Sequence, residues 1–499
     1  MKKIIYVIGI IFLLVVISVN VLFTSKLSSS ERITINLNNI VYSICTILLA
    51  VIIYLITKKA NEKLKKDDSE SKIRKRLFII ALVIYFILNI LWIFSVRPGI
   101  GGDSVHVGNI AQVFYKESNS ELLNNKTYAG ITLKEYMQEY PQQIPLSFVY
   151  SIIFRIIFFD EIGVLRIVNV ISAVLIVVAI YKITKQLSKQ YKTNTILPLI
   201  LILTFVPLIM LTTFIYGDIP SLALCLFAVY FTMKYIESKK YKFIIIATIL
   251  TSIANMMRMN SLIFVIATTI YLMLNTIKEF NKKEIKKTGI SIGIIIIYIL
   301  IAIIPSTIIE NCYFKKYNLD KNKVYPKSSF ILMSMEESWR GNGWYNEKIA
   351  EPALKQEANI KEKYNEKIKE RINYLSKNID YTFDFYTKKI TSMWSENTYS
   401  SFFNNKINDK EVLKKGKDAI MFYQKASLLL ITASSLIIII QNRKKLSLEI
   451  IFLLTIFIGG FAFHILWEAK SRYIIPYIVI LMPITAVEIN KFKIFKKDK

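Results

Sequence analysis

The chain has 499 residues, of which 54% are apolar, with a net charge of +29 and a mean hydropathy of +0.42. Soluble domains average about 45–50% apolar residues, and the excess here falls in blocks of roughly 17–22 residues, the length that crosses a hydrocarbon core of about 30 Å. These figures exclude a soluble fold, and three cysteines (Cys45, Cys225 and Cys312) without CxxC spacing exclude a disulfide framework or a zinc knuckle.

Residues 4–24 form the first apolar run. It exceeds the roughly 7–15 residues of a signal-peptide core and no small-x-small site follows it, so a retained helix is expected. Residues 37–57 form the second run. Lys58–Arg76 then carries nine Lys/Arg against four Asp/Glu, the mark of a cytoplasmic loop. The run 77–96 therefore exits outward, and 97–143, with four basic and five acidic residues, is the first outer loop. It opens on Arg97-Pro98-Gly99-Ile100-Gly101-Gly102-Asp103-Ser104-Val105-His106.

Residues 144–159 are apolar but short, and carry Arg155. As a span they would place Lys182, Lys185, Lys189 and Lys192 outside; as an amphipathic helix in the outer interface they leave those lysines inside. The second reading also orients the later spans, 163–181, 195–213, 217–236, 242–257, 260–276, 289–309, 421–440, 448–466 and 473–489. The expected fold is an all-α polytopic membrane protein of about twelve helices, both termini cytoplasmic, with a small outer domain. The inner loops then hold +23 of the +29. The charge is an orientation signal in a plasma-membrane protein, and no nucleic-acid partner is expected.

Four regions follow. Residues 1–76 are an N-terminal hairpin with a basic loop. Residues 77–309 are a transmembrane core containing the outer loop 97–143 and the interfacial helix 144–159. Residues 310–420, with 21 basic and 16 acidic residues and an expected helix near 347–378, are an extracellular loop domain. Residues 421–499 are the last helices and a basic tail.

This topology gathers polar residues from distant segments on the outer side. They are Asp103 and His106, Tyr140 and Gln142, Arg155 and Arg166, Tyr216 and Asp218, and Arg258 and Asn260. Arg340, Lys388, Lys389 and Trp394 follow from the large loop, then Glu468, Lys470 and Arg472. Asp103 precedes an expected helix, 104–116, where aspartate is a favoured N-cap; it is also a candidate general base. His106, one turn on, reads as a solvated loop histidine or as a partner of Asp103 for a proton or a divalent cation. Asp218 lies in Tyr216-Gly217-Asp218-Ile219-Pro220, a tight turn with Pro220 in the first helical turn, yet a carboxylate at membrane depth points to function. Arg258, in a short outer turn, suits a phosphoryl group. Lys470 and Arg472 run against the positive-inside trend, which favours anion binding. Lys388 and Lys389 read as a solvated face.

The order of these pieces resembles the GT-C class of membrane glycosyltransferases. The likeness is to bacterial relatives of the protein O-mannosyltransferases and aminoarabinose transferases, the family 39-like enzymes. It covers about 77–490 and rests on Gly101-Gly102-Asp103, Tyr140-Pro141-Gln142-Gln143, Arg166, Tyr216-Gly217-Asp218, Arg258-Met259-Asn260, the large late loop and Arg472-Tyr473 before Pro476. The chain departs from the family in having one acid at the first motif, no His-Pro-Pro-Leu, and an extra helix pair at 1–57. The resemblance implies inverting transfer of a sugar from a polyprenyl-phosphate donor to a cell-envelope acceptor on the outer face. Asp103 and Asp218 would be catalytic. His106, Tyr140, Gln142, Tyr216, Arg258, Asn260, Lys470 and Arg472 would bind substrate, and no metal ligand is assigned. A transporter or lipid flippase is the alternative, disfavoured by span centres nearly free of charge; a receptor using the 310–420 loop is a third.

Overall fold

The computed structural model describes residues 2–65, 70–96, 102–117, 123–124, 130–280, 285–407, 411–443 and 445–489. Arg97–Gly101, which open the first outer loop, and the basic tail 491–499 lie outside the described residues. Among the described residues, nine helices have the length and composition to cross a bilayer, or ten if one bent pair is a single span. Helices Ile40–Lys65, Glu70–Ser95 and Ile285–Lys316 keep most of their apolar side chains exposed, as lipid-facing helices do. Asp218–Ser238, Glu411–Gln441 and Leu448–Ile465 are mostly enclosed by protein.

Two expected spans depart from a straight helix, and a third, 242–257, is a single short one. The run 195–213 is Ile196–Leu203 and Val206–Met210, bent by 43°. Pro207 cannot donate to the ladder, so the helix breaks ahead of it. A bilayer cannot solvate the freed carbonyl, and Gln424 Nε2 donates to Thr204 O at 2.8 Å. Tyr241–Met257 has only 17 residues. The expected helix 473–489 is instead a short helix, Ile475–Val479, flanked by 3₁₀ turns at Ser471–Ile474 and Met482–Ala486. Pro476 and Pro483 restart the chain twice. The segment is buried almost throughout, and irregular backbone at membrane depth is tolerated where protein encloses it.

Ile144–Ile157 is a 14-residue helix, about 21 Å long and short of a hydrocarbon core. Leu146, Tyr150 and Phe154 are buried on one side, while Ile152, Ile156 and Ile157 are exposed on the other. It packs on Asp103–Lys116, the helix that carries the first acid.

The departure from all-α is one antiparallel hairpin, β1 (Phe23–Leu27) and β2 (Ile33–Leu37), between the first two spans. It docks on the large loop through Ser25 N–H to Ser395 O (3.1 Å) and Ile33 N–H to Arg340 O (2.8 Å). In that loop the expected helix near 347–378 is two, Glu347–Leu354 and Ile360–Lys377, parted where Gln356 and Asn359 take positive φ. Tyr325, Leu332, Met333, Ile349, Ala350 and Tyr364 form a small core beneath them.

Gln424→Leu leaves the Thr204 carbonyl only the Val206 N–H, at 2.9 Å. It is expected to lower stability by about 1 kcal/mol, read as an earlier midpoint of unfolding in detergent. An unchanged midpoint would show that the bend satisfies its own backbone.

Candidate active site

Both acids open helices in the same way. Gly102 (φ +59) precedes Asp103, and Gly217 (φ +78) precedes Asp218. Glycine takes a positive-φ N-cap position in both, with ψ −144° at Gly102 and −5° at Gly217, so each aspartate is the first helical residue, near the positive end of the helix dipole. The expectation that Asp103 caps its helix is corrected: no side-chain cap bond forms there, and the carboxylate is free for other partners. At Gly217 a Cβ would lie 2.9 Å from Met257 O and from Leu146 Cδ1, so this close turn excludes a side chain as well as a negative φ.

Around Asp218 the chain gathers two guanidinium groups. Arg258 Nε lies 3.2 Å from Asp218 Oδ1, with side chains 13% and 29% exposed. Arg258 covers the Tyr216 ring at 4.6 Å; Arg472 lies over Phe214 at 4.4 Å and Tyr216 at 5.5 Å. Gln143 Nε2 donates to the Tyr216 hydroxyl at 2.7 Å. Asn169 Nδ2 donates to Thr212 O and Phe214 O, both at 3.0 Å, fixing the turn ahead of Tyr216. Burial alone would lower the Arg258 guanidinium, yet Asp218 and Tyr216 raise it above its usual value. Arg472 Nε is buried without a hydrogen-bond partner, and no ion pair to Arg472 occurs among the described residues. Asp218, Arg258, Asn260 and Arg472 line one cavity, whose apolar wall includes Leu208 and Leu222.

Asp103 lies outside the lining of that cavity, close enough for its charge to act on Arg258. Tyr136 Oη donates to Asp103 Oδ1 at 3.1 Å, and burial followed by Asp103 pushes the Tyr136 phenol well up, so it stays a donor. Burial and then Asp103 also raise Tyr216, and Asp103 acts on Arg258 as well. His106 is 3% exposed, against the expectation of a solvated histidine. Its ring stacks on Tyr136 with centroids 4.3 Å apart, and Nδ1 is 3.3 Å from Gly102 O. Tyr140 lies between Tyr136 (5.1 Å) and Tyr325 (5.5 Å). Gln142 is half-buried; its neighbour Gln143 is the one that reaches Tyr216. No three His, Cys, Asp or Glu side chains among the described residues cluster as metal ligands.

Lys470, expected to bind an anion, is engaged by carboxylates of the chain itself. Its ammonium pairs with Glu31 at 3.2 Å and lies 3.8 Å from Glu468, so its charge is already opposed. Burial would lower Lys470, but Glu31 and Glu468 raise it above the usual value. Glu31, in the turn of the N-terminal hairpin, also pairs with Arg340 Nε at 3.0 Å. Lys389 is corrected as a solvated residue. It is 1% exposed, and its ammonium donates to Ser334 O (2.8 Å), Ile465 O (2.8 Å) and Trp467 O (2.9 Å), while burial pushes it down to about 7. Lys388 is exposed and pairs with Asp384, and Trp394 packs against Phe457 and Phe461 in the core. Sequence reasoning missed Glu31, Tyr136 and Glu396, whose carboxylate accepts from Ser471 Oγ at 2.6 Å beside Arg472. The alternating Ile33-Thr34-Ile35 was the available signal for the hairpin; nothing local marks the other two.

Gly217→Ala places a Cβ against Met257 O in a left-handed turn. It is expected to cost about 1–3 kcal/mol, measured as a lower unfolding temperature of the purified protein. Wild-type stability would mean that the turn relaxes without loss.

Residues 144–303 match the family model described as dolichyl-phosphate-mannose-protein mannosyltransferase. The matched stretch holds Asp218 and Arg258, and excludes Asp103 and Arg472. No curated protein matches the chain. Among solved structures the chain is similar to the apo oligosaccharyltransferase of Archaeoglobus fulgidus, at 12% identity over 83% of this chain, with a TM-score of 0.43. The chain spans 50% of that protein's length. Over the stretch that builds the Asp218–Arg258 pair, the chain is thus similar to the dolichyl-phosphate-mannose-protein mannosyltransferases, membrane glycosyltransferases of the GT-C class.

Proposed function

We propose that this chain is an inverting membrane glycosyltransferase that moves a sugar from a polyprenyl-phosphate donor to a cell-envelope acceptor on the outer face of the plasma membrane. One observation carries the reading: Asp218 and two arginines line a single cavity, with Asp103 within electrostatic reach of Arg258, and one of the arginines, Arg472, lacks an ion-pair partner among the described residues. The family match supports the transferase class.

In this reading the acceptor hydroxyl attacks the anomeric carbon. The bond from that carbon to the phosphate oxygen breaks, and polyprenyl phosphate leaves with the electron pair. Asp103, oriented by Tyr136, takes the hydroxyl proton as general base. Negative charge grows on the leaving phosphate, and Arg472 and Arg258 oppose it; such preorganised charge in a site shielded from water is a large source of rate. Asp218 holds Arg258 in place and helps orient the acceptor. Asn260 and Tyr216 complete the polar wall, and His106 and Tyr140 brace Tyr136. Lys470, engaged by Glu31, shapes the rim. The apolar wall of the cavity takes the first prenyl units. Residues 310–420 form the outer domain over the cleft, and both termini are cytoplasmic.

Asp103→Asn is expected to lower transfer by about 10²–10⁴-fold in an assay of purified protein with a panel of polyprenyl-phosphate sugars, while the protein still folds and inserts. Transfer near the wild-type rate would remove Asp103 as the base. Sidedness has its own test. Ser188→Cys in a cysteine-free background is expected to resist an impermeant thiol reagent in intact cells and to react after permeabilisation; labelling in intact cells would make 144–159 a true span.

A further inference from the structure

A second concavity lies at the other end of the bundle. The helices Glu70–Ser95, Val164–Leu187 and Asp218–Ser238 enclose about 770 Å³ there. Lys234 on its wall stands sixteen residues after Asp218 on one helix, about 24 Å along the axis, so this concavity is separate from the cavity lined by Asp218.

Five lysines line it: Lys75, Lys182, Lys185, Lys189 and Lys234. Glu237 pairs with two of them, Lys189 and Lys234, and accepts from Gln186 Nε2 at 3.0 Å. Lys75, Lys182 and Lys185 have no ion pair among the described residues. Lys182 lies over the Tyr230 ring at 5.3 Å.

The rest of the wall is apolar. Phe78 and Tyr181 stack across two helices with centroids 4.3 Å apart, and Leu82 and Val178 continue the floor. Ile79 stands at the lip, 48% exposed, and opens the cavity sideways. Lysines that serve only as an orientation signal need no cavity and no apolar floor. Here like charges from three helices rim one half-open concavity, with Lys182 and Lys234 half-buried and Lys75, Lys185 and Lys189 exposed, and their mutual repulsion is relieved by an anion. An ammonium rim above an apolar, side-opening floor complements a molecule with a phosphate head and a hydrocarbon tail.

We propose that this cavity binds the phosphate headgroup of an anionic membrane lipid. Lys182 and Lys185 are its cationic contacts, Lys75 closes the rim, and the Phe78–Tyr181 floor takes the first methylenes of the chain. Basic pockets between membrane helices are suited to such headgroups. The lipid would clasp the far end of the helix whose other end carries Asp218. The proposal does not depend on the transferase reading.

The test uses the full chain, stripped of lipid in detergent and resupplied with phosphatidylglycerol or phosphatidylcholine, with retained lipid counted by native mass spectrometry. Phosphatidylglycerol is expected to be retained over phosphatidylcholine. The double variant Lys182→Gln/Lys185→Gln is expected to lose about tenfold in affinity, and Lys182→Arg/Lys185→Arg to keep it. Lys240→Gln/Lys242→Gln, two lysines near the same helix ends but outside the cavity, is expected to bind as the wild type does. Equal losses in the two glutamine pairs would reduce the effect to diffuse attraction and overturn the site. Equal retention of the two lipids, or displacement of phosphatidylglycerol by inorganic phosphate at like concentration, would overturn the lipid assignment.

Discussion

The Asp218–Arg258 pair is the contact on which the cleft depends. Its charges sit at the end of apolar helices, where an unpaired ion is expensive and a fully buried pair costs about 3–5 kcal/mol to break. The pairing is possible only because the turn at Gly217 brings its backbone against Met257 O. That approach sets Asp218 beside the residue after Met257, and Arg258 then covers Tyr216. Tyr216 in turn takes the Gln143 hydrogen bond and the Arg472 guanidinium. One close backbone contact thus joins the first outer loop, the middle helices and the C-terminal segment.

The same economy of buried charge runs through the rest of this end of the bundle. Glu31 holds Arg340 and Lys470; Glu396 holds Ser471; Lys389 fills a cradle of three carbonyls. A polar group withdrawn from water must find a partner, and here the partners come from segments hundreds of residues apart. Arg472 is the exception in the cleft, a cation held by aromatic faces rather than by a carboxylate. The N-terminal helix pair also acquires a role, since its hairpin supplies Glu31 to the rim.

The two ends of the bundle differ in kind. At the acid end, glycine turns and irregular helix starts direct side chains inward. At the lysine end, long flexible ammonium groups ring an apolar floor. Both patterns follow from the bilayer, which confines unpaired polarity to the helix ends.

Local transfer energy is written in composition and spacing, and the residues themselves determined the apolar runs, the all-helical class and a short helix expected at 144–159 and found at Ile144–Ile157. The Gly-Asp turns were legible as turns, and the run of motifs from Gly101 to Tyr473 carried the resemblance, of which the family model matches residues 144–303. Tertiary structure alone decided what those side chains meet. It turned Asp103 from a cap into an acceptor from Tyr136, buried His106 and Lys389, and engaged Lys470 with Glu31. It also broke 473–489 into short pieces around Pro476 and Pro483 and docked a hairpin that joins the first two spans. The reason is physical: periodicity reports whether a residue prefers water or hydrocarbon, whereas a partner more than thirty, or several hundred, positions away leaves no trace in the local pattern.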